Sequence, residues 1–166
     1  CATYGVELFG VEPGEVTEGW RGLVAKRQLS PGEPLARIPR PALLCVDADA
    51  EAELAGVLAA AAEPAQVPPA AKLALRLLIE ASKGEQSHWN AYIRSLPRWH
   101  ATLACFEEAE AALLQLPFAK REAAEAAETA ESEWKTLRPC LQAASLPAKL
   151  RSLRAWQWAS ASVSSR

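Results

Sequence analysis

The chain has 166 residues, half of them hydrophobic, and a formal net charge of −2 at pH 7. This length is sufficient for one domain with a sizeable core and a second small lobe. The near-balanced charge argues against a dedicated nucleic-acid surface, because no face collects enough Lys or Arg to displace many phosphate counterions. No run of about eighteen apolar residues occurs, so we expect no membrane-spanning helix.

The cysteines and histidines indicate neither disulfides nor a metal site. The four cysteines are widely separated and form no Cys-x-x-Cys pair: Cys1, Cys45, Cys105 and Cys140. This pattern favours free thiols in a reducing compartment. His88 and His100 have no acidic or thiol partner at ligand spacing, and we therefore expect no metal.

The first part of the chain has the pattern of short strands and turns. Residues 6–11 alternate loosely and predict an edge strand, which leads into a glycine-bearing loop at 18–22. Two apolar runs, 23–25 and 35–38, flank a Ser-Pro-Gly-Glu turn at 30–33. Proline presets the backbone of such a turn and glycine accepts a positive φ, so a β-hairpin of these two runs is predicted.

The rest of the chain has mainly helical periodicity. A further strand is expected at 42–46, after which Asp47 or Asp49 is suited to cap a helix over 50–62. An apolar stripe begins at Leu73 and indicates a second helix. Later helices are predicted between prolines that separate them: 89–95, 107–116, 119–137 and 153–165.

Several segments occur in an order that is typical of one enzyme family. They are Gly-Leu-Val-Ala at 22–25, Pro-Gly-Glu at 31–33, Ile-Pro at 38–39, Trp-Asn-Ala-Tyr-Ile-Arg-Ser-Leu-Pro at 89–97, Trp-Gln-Trp-Ala at 156–159 and Ser-Ser-Arg at 164–166. The chain resembles, over roughly its whole length, the SET methyltransferase domain of the branch typified by the plant Rubisco large-subunit lysine methyltransferase. The block at 89–97 is the most specific single match.

The resemblance implies an α+β fold with two parts. Residues 1–46 correspond to the N-terminal strands of a SET domain, and residues 47–166 to the mostly α-helical insertion that interrupts that domain. The second half of the family's domain carries an Asn-His motif, a preceding aspartate and an active-site tyrosine, and none of these occurs in this sequence. We therefore expect an incomplete methyltransferase that holds no catalytic residue and is inactive alone.

The resemblance also implies S-adenosylmethionine as the cofactor. The implied contacts are Gly19, Trp20, Arg21, Gly22 and Arg166. Backbone carbonyls of the glycine loop suit the cofactor's amine, and the planar fork of an arginine suits its carboxylate. In the commoner Gly-x-Gly-Leu form a glycine stands where this chain has Trp20. The resemblance therefore leaves two neighbouring residues as candidates for the carbonyl that contacts the cofactor. Ser165 is implied as a neighbour of the substrate channel.

The implied activity is protein-lysine N-methylation, and the implied partner is a lysine-bearing protein. Histidine methylation is an alternative within the same branch, and a non-catalytic, protein-binding remnant is a second. No metal is required for methyl transfer. Members of the branch work in plastids, in the cytoplasm or in the nucleus, so the resemblance does not choose a compartment.

Other conspicuous side chains have simpler structural interpretations. The acidic residues at 107, 108 and 110 fall at a helix start, where carboxylates stabilise the helix dipole. The Ala/Glu run at 122–133 fits either a solvated helix face or a docking surface. Trp156 on one helix, and Trp89, Tyr92 and Ile93 on another, are expected to pack in the core.

Overall fold

The structure, a computed structural model, describes residues 4–165, with the backbone alone at Trp20 and Arg21. The chain forms two compact units, Cys1–Leu44 and Cys45–Arg166. Among the described residues, the first unit holds four strands and the second holds six α-helices. The predicted α+β class, with small sheets and a larger helical part, is confirmed.

The first unit contains two small antiparallel sheets. Strand β1 (Glu7–Leu8) pairs with β4 (Ala36–Arg37). Strand β2 (Val11–Thr17) pairs with β3 (Trp20–Ala25), and a short 3₁₀ turn follows at Arg40–Ala42.

The predicted hairpin of the two apolar runs is wrong, although its turn is present. The backbone N–H of Glu33 donates to the carbonyl of Ser30 at 3.1 Å, and Gly32 has a φ of +82°. Residues 23–25 nevertheless pair with β2, and the run at 35–38 pairs with β1. The turn chemistry was correctly inferred, but a turn does not determine which strands pair when other segments compete.

The second unit is helical throughout its described part. Its α-helices are α1 (Ala48–Leu58), α2 (Pro69–Ser82), α3 (Asn90–Ser95), α4 (Glu108–Ala112), α5 (Pro117–Ala143) and α6 (Leu153–Ser164). Further 3₁₀ turns lie at Pro64–Gln66, Gly84–Gln86, Leu103–Cys105 and Ala148–Arg151. Asp47 caps α1 as predicted, since its side chain accepts from the backbone N–H of Ala50. The strand predicted at 42–46 is absent from the described backbone.

Helices α2 and α6 pack together at the centre of this unit, and α5 packs on α6 and on the turn Leu103–Cys105. Leu75 and Trp156 are fully buried there. Helix α5 runs through Pro139 to Ala143, six residues beyond the predicted end. Leu137 and Leu141, on either side of the proline, are buried, so apolar burial favours the longer helix over the one backbone bond that proline removes.

No helix among residues 4–165 combines the length and the apolar composition needed to cross a membrane.

Candidate functional site

The segment predicted to contact the cofactor forms the tip of the β2–β3 hairpin. Glu18 and Gly19 make the turn, and Gly19 has a φ of +79°, which favours glycine. The backbone N–H of Gly19 donates to Oε1 of Glu15 at 2.6 Å. Trp20, Arg21 and Gly22 lie in β3, so the predicted five-residue loop is in fact a tight turn.

A register irregularity explains why the turn is so short. Arg21 faces Glu15 and Trp20 faces Thr17, so β2 carries one residue more than β3 across this step. A bulge of this kind increases the local twist and lets a strand close into a tight turn. The sequence shows a glycine here but gives no signal for the bulge.

Two glycines face each other across the hairpin and make room for two valines. Gly14 pairs with Gly22 in the register. A Cβ at Gly14 would lie 3.0 Å from Cγ2 of Val24, and a Cβ at Gly22 would lie 3.0 Å from Cγ2 of Val16. A side chain at Gly22 would therefore crowd Val16 within the hairpin.

The hairpin offers backbone hydrogen-bonding groups along one edge. Within residues 4–165, β3 pairs with β2 alone, so its other edge has no strand partner. Alternate N–H and C=O groups of a strand point to each edge, which leaves about half of those in β3 available to a ligand or a further strand. A Cβ at Gly19 would meet nothing within 4 Å, so the turn itself is open. An ammonium group fits such carbonyl acceptors.

The two other predicted contacts lie at the end of the second unit. Ser165 follows α6 and is exposed, and its backbone N–H donates to the carbonyl of Ala161 at 3.0 Å. Its predicted place beside a substrate channel stays a prediction. Arg166 lies outside the described residues.

The core of the helical unit holds both paired and unpaired buried polar groups. His100 Nε2 and Ser162 Oγ lie 2.9 Å apart, and both residues are buried. Trp156 is completely buried, as predicted, and its indole Nε1 has no partner among the described atoms. Tyr92 is 39% exposed, so the prediction of core packing is wrong for that residue.

The predicted helix-start role of the acidic cluster is confirmed. Glu107 precedes α4, and its backbone N–H donates to Oε2 of Glu110 at 2.9 Å in a reciprocal capping box. Along α5, Glu122, Glu125 and Glu128 are exposed, as a solvated face requires. Within residues 4–165, no three His, Cys, Asp or Glu side chains cluster in a way that would hold a metal.

Two side chains, Glu33 and Cys140, have pKa values shifted by their surroundings. The guanidinium of Arg27 donates to the carboxylate of Glu33, and the backbone N–H of Ser30 donates to the same group at 3.1 Å. These bonds lower the pKa of Glu33, with that from Arg27 having the larger effect. In α5, burial raises the pKa of the Cys140 thiol, which disfavours its reactive thiolate form.

Arg76 is a structural residue that the sequence analysis did not identify. Its guanidinium donates to the carbonyl of Cys45, lies 3.5 Å from Oε2 of Glu53 and sits 5.1 Å from the ring centroid of Trp89. Its side chain is only 12% exposed. The sequence does carry a signal for this structural role. An arginine stands between Leu75 and Leu77 in an otherwise apolar helix, and charged residues are rarely buried unless they are paired.

Comparison with known proteins shows a similarity to a curated plant protein. No protein-family model matches the chain. The chain is 35% identical, over 152 residues and 89% of its length, to the Arabidopsis thaliana protein named Protein SET DOMAIN GROUP 40. It spans about 30% of the length of that relative. The similarity supports the resemblance to SET-domain proteins that the sequence motifs indicate.

Proposed function

We propose that these residues belong to a SET-type protein-lysine N-methyltransferase of the Rubisco methyltransferase-like branch, which uses S-adenosylmethionine. The observation that carries this proposal is the 35% identity over 89% of the chain to a protein named for its SET domain. The ordered segments from 22–25 to 164–166 support the branch.

The β2–β3 hairpin is proposed as one wall of the cofactor site. When bound, S-adenosylmethionine supplies an electrophilic methyl group on a sulfonium. Backbone carbonyls at Gly19–Gly22 would accept from its ammonium group, and the tight turn fixes their direction. The open edge of β3 supports this role, because it leaves main-chain acceptors without a strand partner within the described chain.

Arg166 is proposed as a further contact with the cofactor, and Ser165 as a neighbour of the substrate. The guanidinium of Arg166 would pair with the cofactor's carboxylate, since its planar fork of donors matches two oxygens. Ser165 would lie beside the channel that admits the substrate amine. We place no catalytic residue in the sequence, because the Asn-His motif and the tyrosine implied by the resemblance do not occur in it.

The helical residues 47–166 are proposed to guide the protein substrate. Methyl transfer to lysine needs a neutral amine aligned with the methyl group, and binding of the surrounding polypeptide provides that alignment. A rigid helical core is suited to this task because it holds contact residues in fixed positions.

The proposal is tested by a methyl-transfer assay with the full-length protein. The protein is incubated with methyl-labelled S-adenosylmethionine and a proteome extract, and labelled proteins are hydrolysed for amino-acid analysis. We expect methyl-lysine. Methyl-histidine would replace the proposed acceptor with the alternative, and no labelling together with no cofactor binding would support the non-catalytic, protein-binding alternative.

Glycine variants examine the hairpin in the same assay. Gly19→Ala places a side chain at a φ of +79°, which costs roughly 1 kcal/mol and moves the turn. We expect weaker cofactor binding, seen as a higher concentration of S-adenosylmethionine needed for half-maximal labelling. Gly56→Ala is the matched control, since Gly56 lies in α1 with open space around it and alanine favours a helix.

A further inference from the structure

A groove on the helical unit combines apolar walls with positive charge. It has a volume of about 700 Å³ and lies between the end of α2, the end of α3 with the residues after it, the turn Ala148–Arg151 and α6. Its apolar walls include Ile93, Leu150 and Trp158. Trp158 Nε1 donates to the carbonyl of Pro97 at 2.8 Å, which fixes this wall against the segment after α3.

Three cations line this groove: Arg94, Arg98 and Lys149. All three are exposed, and none of them has an ion-pair partner in the part of the chain that the structure describes. No aspartate or glutamate is among the groove's lining residues. This differs from α5, where Arg121 and Lys135 each lie within 4 Å of a glutamate four residues away.

We propose that this groove binds an acidic peptide segment of a partner protein, with one or two apolar side chains seated between Ile93, Leu150 and Trp158. Carboxylates of the segment would pair with Arg94, Arg98 and Lys149, whose charges have no ion-pair partner within residues 4–165. A cleft of this volume holds a few side chains and lies within the usual size of binding pockets. The proposal is independent of methyl transfer.

The chemistry of the groove favours a peptide over a nucleic acid. Three cations displace few counterions, and the chain carries a net charge of −2, so affinity for a phosphate backbone would be weak. The walls are mostly aliphatic, and Trp158 is held by its bond to Pro97. An acidic segment with leucine or phenylalanine satisfies both the charges and the apolar surface.

The test is fluorescence anisotropy of a labelled short peptide that alternates glutamate with leucine and phenylalanine, added to the full-length protein. Matched peptides replace glutamate with glutamine or with lysine. We expect the acidic peptide to bind most tightly and to lose affinity as ionic strength rises, because exposed charges are screened by salt. Equal binding of the three peptides, or no binding of the acidic one, would overturn the proposal.

Substitutions of the three groove cations test whether the acidic peptide binds in the groove. The triple change Arg94→Gln, Arg98→Gln and Lys149→Gln should weaken binding about tenfold or more, since each exposed charge pair contributes roughly two- to fivefold in affinity. Each of the three changes is also made singly, and Lys120→Gln, at an exposed lysine of α5 outside the groove, is the charge-matched control for these single variants. Circular dichroism checks that each variant is folded.

Two results would contradict this location. An equal loss of affinity in the Lys120→Gln control would show that general charge, and not the groove, attracts the peptide. Displacement of the peptide by an RNA oligonucleotide of equal charge and similar affinity would show a nonspecific anion site instead of a peptide site.

Discussion

Removal of Arg76 should destabilise the helical unit much more than removal of its exposed acidic partner. The guanidinium joins three parts of this unit, because it bonds to the carbonyl of Cys45, lies over Trp89 and approaches Glu53 of α1. Arg76→Ala deletes all three contacts, whereas Glu53→Gln deletes the charge of one partner. A comparison of the two variants therefore separates the buried contacts from the surface ion pair.

The magnitudes follow from the exposure of each group. A hydrogen bond from a charged donor contributes about 1.5–3 kcal/mol, and a partly desolvated cation–π contact contributes about 0.5–2 kcal/mol. Glu53 is 71% exposed, so its ion pair contributes roughly 0–0.5 kcal/mol. We expect Arg76→Ala to lower the free energy of unfolding by about 2–5 kcal/mol and Glu53→Gln by no more than about 0.5 kcal/mol.

The assay is urea unfolding of the full-length protein followed by circular dichroism, with the slope compared between variants to confirm the same transition. Arg76→Lys keeps the charge but loses the planar fork, and we expect an intermediate cost. The reasoning is refuted if Arg76→Ala lowers the free energy of unfolding as little as Glu53→Gln does. The contacts to Cys45 and Trp89 would then contribute nothing measurable to stability.

Three further predictions follow from burial and titration. Leu75→Ala should lower the free energy of unfolding by ~2–5 kcal/mol, and Leu113→Ala, at a residue 80% exposed, by less than ~0.5 kcal/mol; equal losses in urea unfolding would contradict the packing described. Because the pKa of Glu33 is lowered in the folded chain, its pairing with Arg27 stabilises the fold fully at pH values above a carboxylate's ordinary pKa of about 4.3. This stabilisation is lost as the pH falls through the lower pKa that Glu33 has in the folded chain. Arg27→Gln should raise that pKa in a carboxyl NMR titration, and an unchanged value would be inconsistent with the contact. Iodoacetamide at neutral pH should leave Cys140 unmodified in the folded protein and modify it in urea, as followed by peptide mass spectrometry; rapid labelling of the folded protein would show that the thiol is not buried.

Local sequence signals predicted most of the helical unit. The cap at Asp47, the capping box at Glu107 and the buried Trp156 all depend on short-range chemistry or on helical periodicity, and the structure confirms them. The end of α5 could not be predicted from Pro139, because burial of Leu141 beyond the proline is a tertiary effect.

Strand pairing in the first unit was harder to predict. The turn at 30–33 is present, yet the flanking runs pair with other strands, since pairing depends on competition among distant segments. The predicted glycine loop at 18–22 is a tight turn because β2 has a bulge between Glu15 and Thr17, and no sequence signal predicts that bulge. The glycine-bearing segment does contain a turn, at Glu18 and Gly19, and its role toward the cofactor stays a prediction.

The most direct test of the central proposal is amide hydrogen exchange of the full-length protein with and without saturating S-adenosylmethionine. We predict that the cofactor binds and slows exchange in residues 19–25, because it covers the hairpin turn and the open edge of β3. Backbone amides of α5 near the exposed residue Glu125 provide the internal control and should exchange equally in both states. Binding without protection of residues 19–25 would contradict the proposed site, and no binding at all would contradict the proposed function.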